Sequence, residues 1–286
     1  MPSPPDRLIR LAVGDVTVVV DLDEGARGVE WTVAGHQLLA HYGDRPIEHG
    51  MYPMAPWAGR IRDNTVTWSG QAHALPVTHD PWAIHGMVLT QSASVIDLTQ
   101  DAQEARLVAR IEEHPGWPWP MAVDIEWRLR PRELTTTIIV HALVEPFPVV
   151  VGWHPWFRRQ LDSGGPLVLA MHASERLVRG ADHLPTGETV PYDAGDGPFD
   201  DAFRVPDGRA TVGWPGVVAV DIASDSDWYV VFDELAPYVC VEPQSGPPDG
   251  LRAGAGSRGG RGGPAVAAPG SPHVLTTTWT MRDLSR

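Results

Sequence analysis

A mainly β fold, built as a large antiparallel β-sandwich, is predicted by three features of this 286-residue chain. Apolar and polar residues alternate with period two in run after run. Val, Ile, Thr and Trp dominate those runs, and glycine and proline, 29 and 28 in number, punctuate them. Alternation turns one strand face to a core and the other to solvent, and β-branched and aromatic side chains suit such a half-buried pleat. Dense Gly and Pro fit the short turns that many strands require. Sustained 3.6-residue periodicity with caps does not occur.

In chain order, Val29-Glu30-Trp31-Thr32-Val33 is the first clear strand. The stretch Asp101-Ala102-Gln103-Glu104-Ala105 suits a helical turn. Val123-Asp124-Ile125-Glu126-Trp127-Arg128-Leu129-Arg130 sends four apolar residues one way and four charged residues the other, the pattern of a half-buried antiparallel strand. Residues 135–144, 228–232 and 274–281 are further β-rich runs, and Cys240 lies in the apolar run Tyr238-Val239-Cys240-Val241, where burial is the default. Residues 252–264, rich in Gly and Arg, offer no apolar anchor and are predicted to form a flexible loop. That tract has no Gly-Lys-Ser/Thr ending and no following helix, which argues against a phosphate cradle. The whole chain, 1–286, is read as a single domain, since large sandwiches reach roughly 200–250 residues.

Charge narrows the partners. With 22 basic and 36 acidic residues the net charge is −14, a field that repels nucleic acid and anionic membrane surfaces. A single cysteine forms no internal disulfide, no signal-peptide layout opens the chain, and no apolar stretch approaches the roughly 18 residues of a membrane span. A cytoplasmic protein, monomer or homodimer, is expected.

Two histidines stand in aromatic or glycine contexts, His85 in Trp82-Ala83-Ile84-His85-Gly86 and His154 in Gly152-Trp153-His154-Pro155-Trp156-Phe157. A late acid, Glu242, follows in Val241-Glu242-Pro243-Gln244. Imidazole serves as acid or base near neutral pH, and a carboxylate is its complement, so these residues among aromatics suggest proton transfer on a sugar. His85 alone reads more readily as a structural histidine. Trp153, Trp156 and Phe157 around His154 are expected to form an apolar wall on which a sugar ring stacks. Arg60, in Gly59-Arg60-Ile61, can grip hydroxyls or a carboxylate with its planar fork, although a surface ion pair is the simpler reading. Asp200, in Phe199-Asp200-Asp201-Ala202-Phe203, is either a turn cap or a ligand for hydroxyls. Neither histidine has His-x-x-x-His or Cys-x-x-Cys spacing, so no metal is expected. The absence of Gly-x-Ser-x-Gly disfavours nucleophilic hydrolysis, while Glu242 and Asp200 keep a two-carboxylate glycosidase open.

Taken in order, Gly59-Arg60-Ile61, Ile84-His85-Gly86, Gly152-Trp153-His154-Pro155-Trp156-Phe157, Asp200-Asp201-Ala202-Phe203 and Glu242-Pro243-Gln244-Ser245-Gly246-Pro247-Pro248-Asp249 resemble the aldose 1-epimerase (galactose mutarotase) family. The resemblance implies a large antiparallel β-sandwich that interconverts the anomers of a free aldohexose without a cofactor. It implies His154 as general acid on the ring oxygen and Glu242 as general base on the anomeric hydroxyl, with His85 hydrogen-bonding near the ring oxygen. Arg60 and Asp200 are implied to bind sugar hydroxyls, Gln244 matches the glutamine two positions beyond the base, and Trp156 occupies a position where tyrosine is common. The chain departs from the family at Gly59, where asparagine is frequent, and in the Gly/Arg tract.

The expected chemistry joins a charged His154 to an ionised Glu242 at mildly acidic pH, with the carboxylate extending the imidazolium upward in pH. Two rival readings remain. A hexose-6-phosphate 1-epimerase of the same superfamily needs a basic cluster, for which Arg60, Arg62, Arg158 and Arg159 are candidates. A catalytically silent sugar-binding module needs only the cleft.

Overall fold

A computed structural model describes residues 7–41, 45–112, 114–252 and 264–285. The predicted antiparallel sandwich is what forms. One sheet has eleven strands, with Met51–Met54, Gly152–Arg158, Tyr238–Gln244, Trp228–Phe232 and Asp200–Arg204 adjacent at its middle. The other has eight, ordered Val168–Met171, Arg209–Trp214, Val218–Ser224, His273–Asp283, Glu133–Ala142, Met121–Arg130, Ala105–Ile111 and Ser94–Gln100. Among the described residues helix is limited to the short turns Arg62–Asn64, Val88–Thr90 and Ala194–Asp196.

The predicted strands fall within observed ones, Val29-to-Val33 inside Arg27–Val33 and residues 274–281 inside His273–Asp283. The run 135–144 stops at Ala142, and Leu143 and Val144 are exposed beyond it. The expected helical turn at 101–105 does not form. Those residues make the loop of a hairpin between Ser94–Gln100 and Ala105–Ile111, because the Asp101 carboxylate accepts from the Gln103 and Glu104 amides at 2.7 and 2.9 Å. A short acidic side chain that satisfies its own backbone favours a turn over a helix. The Gly/Arg tract at residues 253–263 lies outside the described residues. No helix among the described residues is long and apolar enough to cross a membrane.

Both sheets contribute to one contiguous hydrophobic core. Its centre is aromatic. Trp127 meets Trp153 with ring centroids 5.1 Å apart, Trp31 meets Trp279 at 5.9 Å, and Phe157 meets Trp214 at 5.9 Å, all edge-on or nearly so. Indole N–H groups are satisfied where the ladder allows: Trp127 donates to the Ala26 carbonyl and Trp279 to the Thr136 hydroxyl, each at 3.0 Å. Truncating a buried aromatic of this kind to alanine costs about 3–5 kcal/mol.

The core settles which way the site faces. Trp153 and Phe157 point between the sheets, so His154 and Trp156, which alternate with them, point to the opposite face of the eleven-stranded sheet. Trp153 and Phe157 are therefore foundation rather than cleft wall, which corrects the stacking wall expected around His154.

Candidate active site

Register assembles the site from segments far apart in sequence. Gly152 pairs with Gln244 and Trp156 with Cys240, so between them His154 and Glu242 stand across from each other. His154 pairs on its other side with Tyr52, and Glu242 with Val230. One rung along, Trp156, Cys240, Phe232 and Asp200 follow one another across four strands. Alternation then places Cys240, Glu242 and Gln244 on one face, the face that His154 and Trp156 share.

A second layer brings in Arg60 and His85. The backbone of residues 55–61 runs beside 83–87: Ile61 donates to the Ala83 carbonyl at 3.0 Å, His85 to Gly59 at 3.1 Å and Met87 to Ala55 at 2.8 Å. His85 and Gly86 both take left-handed backbone conformations, φ 59° and 75°. A side chain at Gly86 would place its Cβ 2.1 Å from the Ala55 carbonyl oxygen, so glycine is required for the close approach. A left-handed histidine costs on the order of 1–3 kcal/mol, and such strain collects where geometry serves function. Gly59, at the position where the family often has asparagine, is left-handed with Pro248 packed where a Cβ would stand, 2.8 Å away.

At the centre His154 Nε2 lies 3.1 Å from Glu242 Oε1. Only 4% of His154 and 2% of Glu242 is exposed. The imidazole is clamped between rings, stacked on Tyr52 at 4.7 Å and on Trp156 at 5.3 Å, and His85 meets it edge-on at 4.9 Å. Gln244 Nε2 donates to Glu242 Oε2 at 3.0 Å, which fixes the carboxylate plane and leaves Oε1 to the histidine. Arg27, fully buried, lays its guanidinium over the Tyr52 ring, 5.0 Å from the centroid, and is held by Glu24 and His49.

Desolvation dominates the electrostatics. Burial pulls the His154 imidazole down to about 3, and the Arg27 and Arg60 charges add to it. Burial also lowers His85 well below the usual histidine range, with His154 and Arg60 adding to that effect. Glu242 is pushed well above the carboxylate range, first by burial and then by the Asp200 charge. The imidazolium expected at mildly acidic pH is therefore corrected: losing water outweighs the attraction of one carboxylate that is itself reluctant to ionise. One proton shared between Nε2 and Oε1 satisfies both groups, and its titration belongs to the pair.

Asp200 accepts from Arg60 Nη1 at 3.4 Å and from Arg179 Nη1 at 2.6 Å. Burial still raises its pKa against both arginines. Arg60 is thus an ion-pair partner of the other residue expected to bind hydroxyls. Several buried polar atoms of these residues have no hydrogen-bond partner among the described residues: His154 Nδ1, His85 Nδ1, Gln244 Oε1 and Arg60 Nε. Each unsatisfied buried group costs roughly 1–3 kcal/mol, and a polyhydroxylated ligand carries donors and acceptors to satisfy them.

The structure brings His85, His154, Glu242 and Gln244, with Trp156, into one cluster edged by Arg60 and Asp200. Among the described residues the arginines that were candidates for a phosphate site are engaged elsewhere. Arg62 is held by Asp182 and Asp249, Arg158 by Asp162 and the Gln37 carbonyl, and Arg159 by the carbonyls of Asp233, Ala236 and Tyr238. Tyr52, Arg27, Arg179 and Cys240 were not among the sequence candidates. Cys240 and Glu242 share parity in one apolar run, a signal available in the sequence, whereas Tyr52 arrives through non-local strand pairing and Arg27 and Arg179 through side-chain contacts with Tyr52 and Asp200.

Similarity agrees with this architecture. The aldose 1-epimerase family profile matches residues 7–241, ending one residue before Glu242, so the place of that carboxylate rests on strand register. A galactose mutarotase-like protein from Clostridium acetobutylicum superposes with a TM-score of 0.85 at 17% identity, covering 96% of this chain and 95% of that one. Galactose 1-epimerase from Lactobacillus acidophilus superposes at 0.78 with 14% identity, over 99% and 97% of the two chains. An aldose epimerase homologue from C. elegans gives 0.78 at 14% identity, over 97% and 99%. Among curated proteins none matches by sequence. At these identities the likeness to solved structures establishes the fold, and the profile, spanning most of the sequence, establishes that the chain belongs to the aldose 1-epimerase family.

Proposed function

We propose that the protein is a mutarotase that interconverts the α and β anomers of a free aldohexose, with His154 and Glu242 as the proton-transfer pair. The observation that carries this reading is the buried contact of 3.1 Å between them. The two oxygens of an anomeric centre sit on one carbon, so an acid and a base that serve them must converge on one small region, as these two side chains do. Moving the shared proton from Oε1 to Nε2 prepares both at once. Glu242 then takes the proton of the C1 hydroxyl while His154 delivers its own to the ring oxygen. The C1–O5 bond breaks to give the open aldehyde. Rotation about C1–C2 presents the other carbonyl face, the C5 hydroxyl adds back, and both protons return.

The remaining residues hold the sugar and the pair. Gln244 orients the carboxylate, Trp156 and Tyr52 fix the imidazole plane, and His85 offers Nδ1 toward the ring oxygen. Arg60 and Asp200 meet hydroxyls. A free hexose is favoured over its 6-phosphate because Arg62, Arg158 and Arg159 are each engaged elsewhere and the net charge is −14. No cofactor takes part, and activity is expected to survive exhaustive chelation.

The test is polarimetry, or magnetisation transfer between anomers, with glucose, galactose and glucose 6-phosphate at two salt concentrations. Acceleration of the free hexoses is expected. A preference for the phosphate ester of tenfold or more that weakens with salt would transfer the protein to the sugar-phosphate epimerases. Sugar binding by calorimetry with no acceleration would make it a silent binding module.

A further inference from the structure

The proton-transfer scheme leaves one buried reactive group in the cleft without a task. Cys240 is fully buried, one rung from Glu242 on the same strand face, and it is the sole cysteine of the chain. A ring nitrogen of His154, the Cys240 sulfur and a Glu242 oxygen all lie within 4.8 Å of one another. We propose that these three side chains form an inhibitory site for a soft divalent cation, Zn2+ or Cd2+, that shuts down the proton-transfer pair when filled.

Geometry and donor chemistry both support the site. A tetrahedral zinc with bonds of roughly 2.0–2.3 Å holds its ligand atoms about 3.3–3.8 Å apart, so rotations of about an ångström bring three side chains already this close into place. The ligands come from two adjacent strands in fixed register, Gly152–Arg158 and Tyr238–Gln244, which gives the site a rigid frame. Thiolate, imidazole and carboxylate together select zinc or cadmium over magnesium and calcium, which prefer oxygen alone. Three protein ligands leave a fourth position for water or a sugar oxygen.

Binding is a competition with protons. The cation displaces the thiol proton and the proton shared by His154 and Glu242, and both pass to solvent. A filled site uses the lone pairs that would accept and deliver the substrate's protons, so proton transfer and metal binding exclude each other. The existence of the site rests on the side-chain geometry, and its effect on turnover rests on the mutarotase reading.

Because the chain has one cysteine, any metal–sulfur signal reports on this site despite the twelve histidines. X-ray absorption of the tag-free protein loaded with one equivalent of Zn2+ is expected to show a single sulfur ligand at about 2.3 Å with lighter nitrogen and oxygen neighbours. Co2+ is expected to give a thiolate charge-transfer band that Zn2+ abolishes. Cys240→Ser, with folding checked by its melting profile, is expected to weaken Zn2+ binding by about tenfold or more and to relieve inhibition of anomer exchange in parallel. A zinc shell without sulfur in the wild type overturns the proposal, and that result needs no variant. Equal zinc affinity in a folded Cys240→Ser protein also overturns it. A zinc–sulfur shell in a protein that never accelerates anomer exchange upholds the site and counts against the mutarotase reading instead.

Discussion

Each sheet carries a histidine beside a carboxylate near its middle, and the two pairs behave in opposite ways. On the eight-stranded sheet His141 Nε2 lies 2.9 Å from Asp124 Oδ2, and Arg110 grips the same carboxylate with both arms at 2.7 and 2.8 Å. Burial pushes Asp124 up, but the hydrogen bonds from Arg110 and His141 outweigh it, and the net shift is downward. On the eleven-stranded sheet His154 and Glu242 have no cation in contact among the described residues, and burial drives them to the neutral side from both directions. Distance and residue type are nearly the same in the two places. What separates a structural pair from a reactive one is whether a permanent charge replaces the lost water. The second mark is satisfaction: Asp124 has both oxygens engaged, whereas His154 Nδ1, His85 Nδ1 and Gln244 Oε1 have no hydrogen-bond partner among the described residues.

The largest effect that could break this contrast is catalytic. Glu242→Gln and His154→Asn are each expected to lower kcat for anomer exchange by about 10²-fold or more while sugar binding, read by calorimetry, persists. Asp124→Asn, the matched change on the other sheet, is expected to leave kcat and KM in place. Comparable losses in all three would erase the distinction, and full activity in Glu242→Gln would remove the carboxylate from the mechanism.

Stability against pH gives an intermediate effect. Burial draws His114 and His273 down to about 4, so at these two groups the unfolded chain, with histidines near 6.5, binds more protons than the folded one throughout the interval between. The raised Glu242 carboxyl opposes the same contribution from its partner His154, so that pair is left out of the balance. Stability therefore rises with pH across that window, is complete above about 6.5, and is lost progressively as pH falls toward 4. Urea midpoints at pH 7 and pH 5 check this, the expectation being a lower midpoint at pH 5. A midpoint that is level or higher at pH 5 would mean that the His114 and His273 imidazoles are not held neutral in the folded protein.

The sequence exposed one half of this contrast better than the other. Period two in Val123-to-Arg130 foretold both the buried Val123, Ile125, Trp127 and Leu129 and the opposite face that carries Asp124. The same periodicity applied to Gly152-to-Phe157 separates Trp153 and Phe157, which face the core, from His154 and Trp156, which stack together on the site face. Glu242, Gln244 and Cys240 are legible as one face by the same rule. Tyr52 and Arg179 are not, since Tyr52 reaches the site by pairing with His154 on a strand far along the chain and Arg179 by its hydrogen bond to Asp200 on a different strand, choices made by the closing of the sheet. Burial of the His154–Glu242 pair is equally hidden, because desolvation depends on what covers a residue, and the covering segment at 83–87 is held by the Gly59 and Ala55 carbonyls together with the Asn64 and Thr78 side chains, which the sequence does not place beside it.

The smallest expected effect tests the structural pair itself. His141 is about a third exposed at its side chain, so its contact with Asp124 is partly in water and screened by salt. Ion pairs in that setting are worth about 0–1 kcal/mol, and Arg110 continues to neutralise Asp124 when the imidazole is removed. His141→Gln is therefore expected to lower stability by no more than about 1 kcal/mol, less still at high salt, and to leave anomer exchange unchanged. Urea titration at low and high ionic strength, paired with polarimetry of the same preparation, reads both quantities. A loss of several kcal/mol would show that Arg110 alone does not compensate the carboxylate. A loss of activity would show that the two sheets are coupled through the aromatic core that joins Trp127 to Trp153, since no side chain of the His141 pair touches the cleft directly.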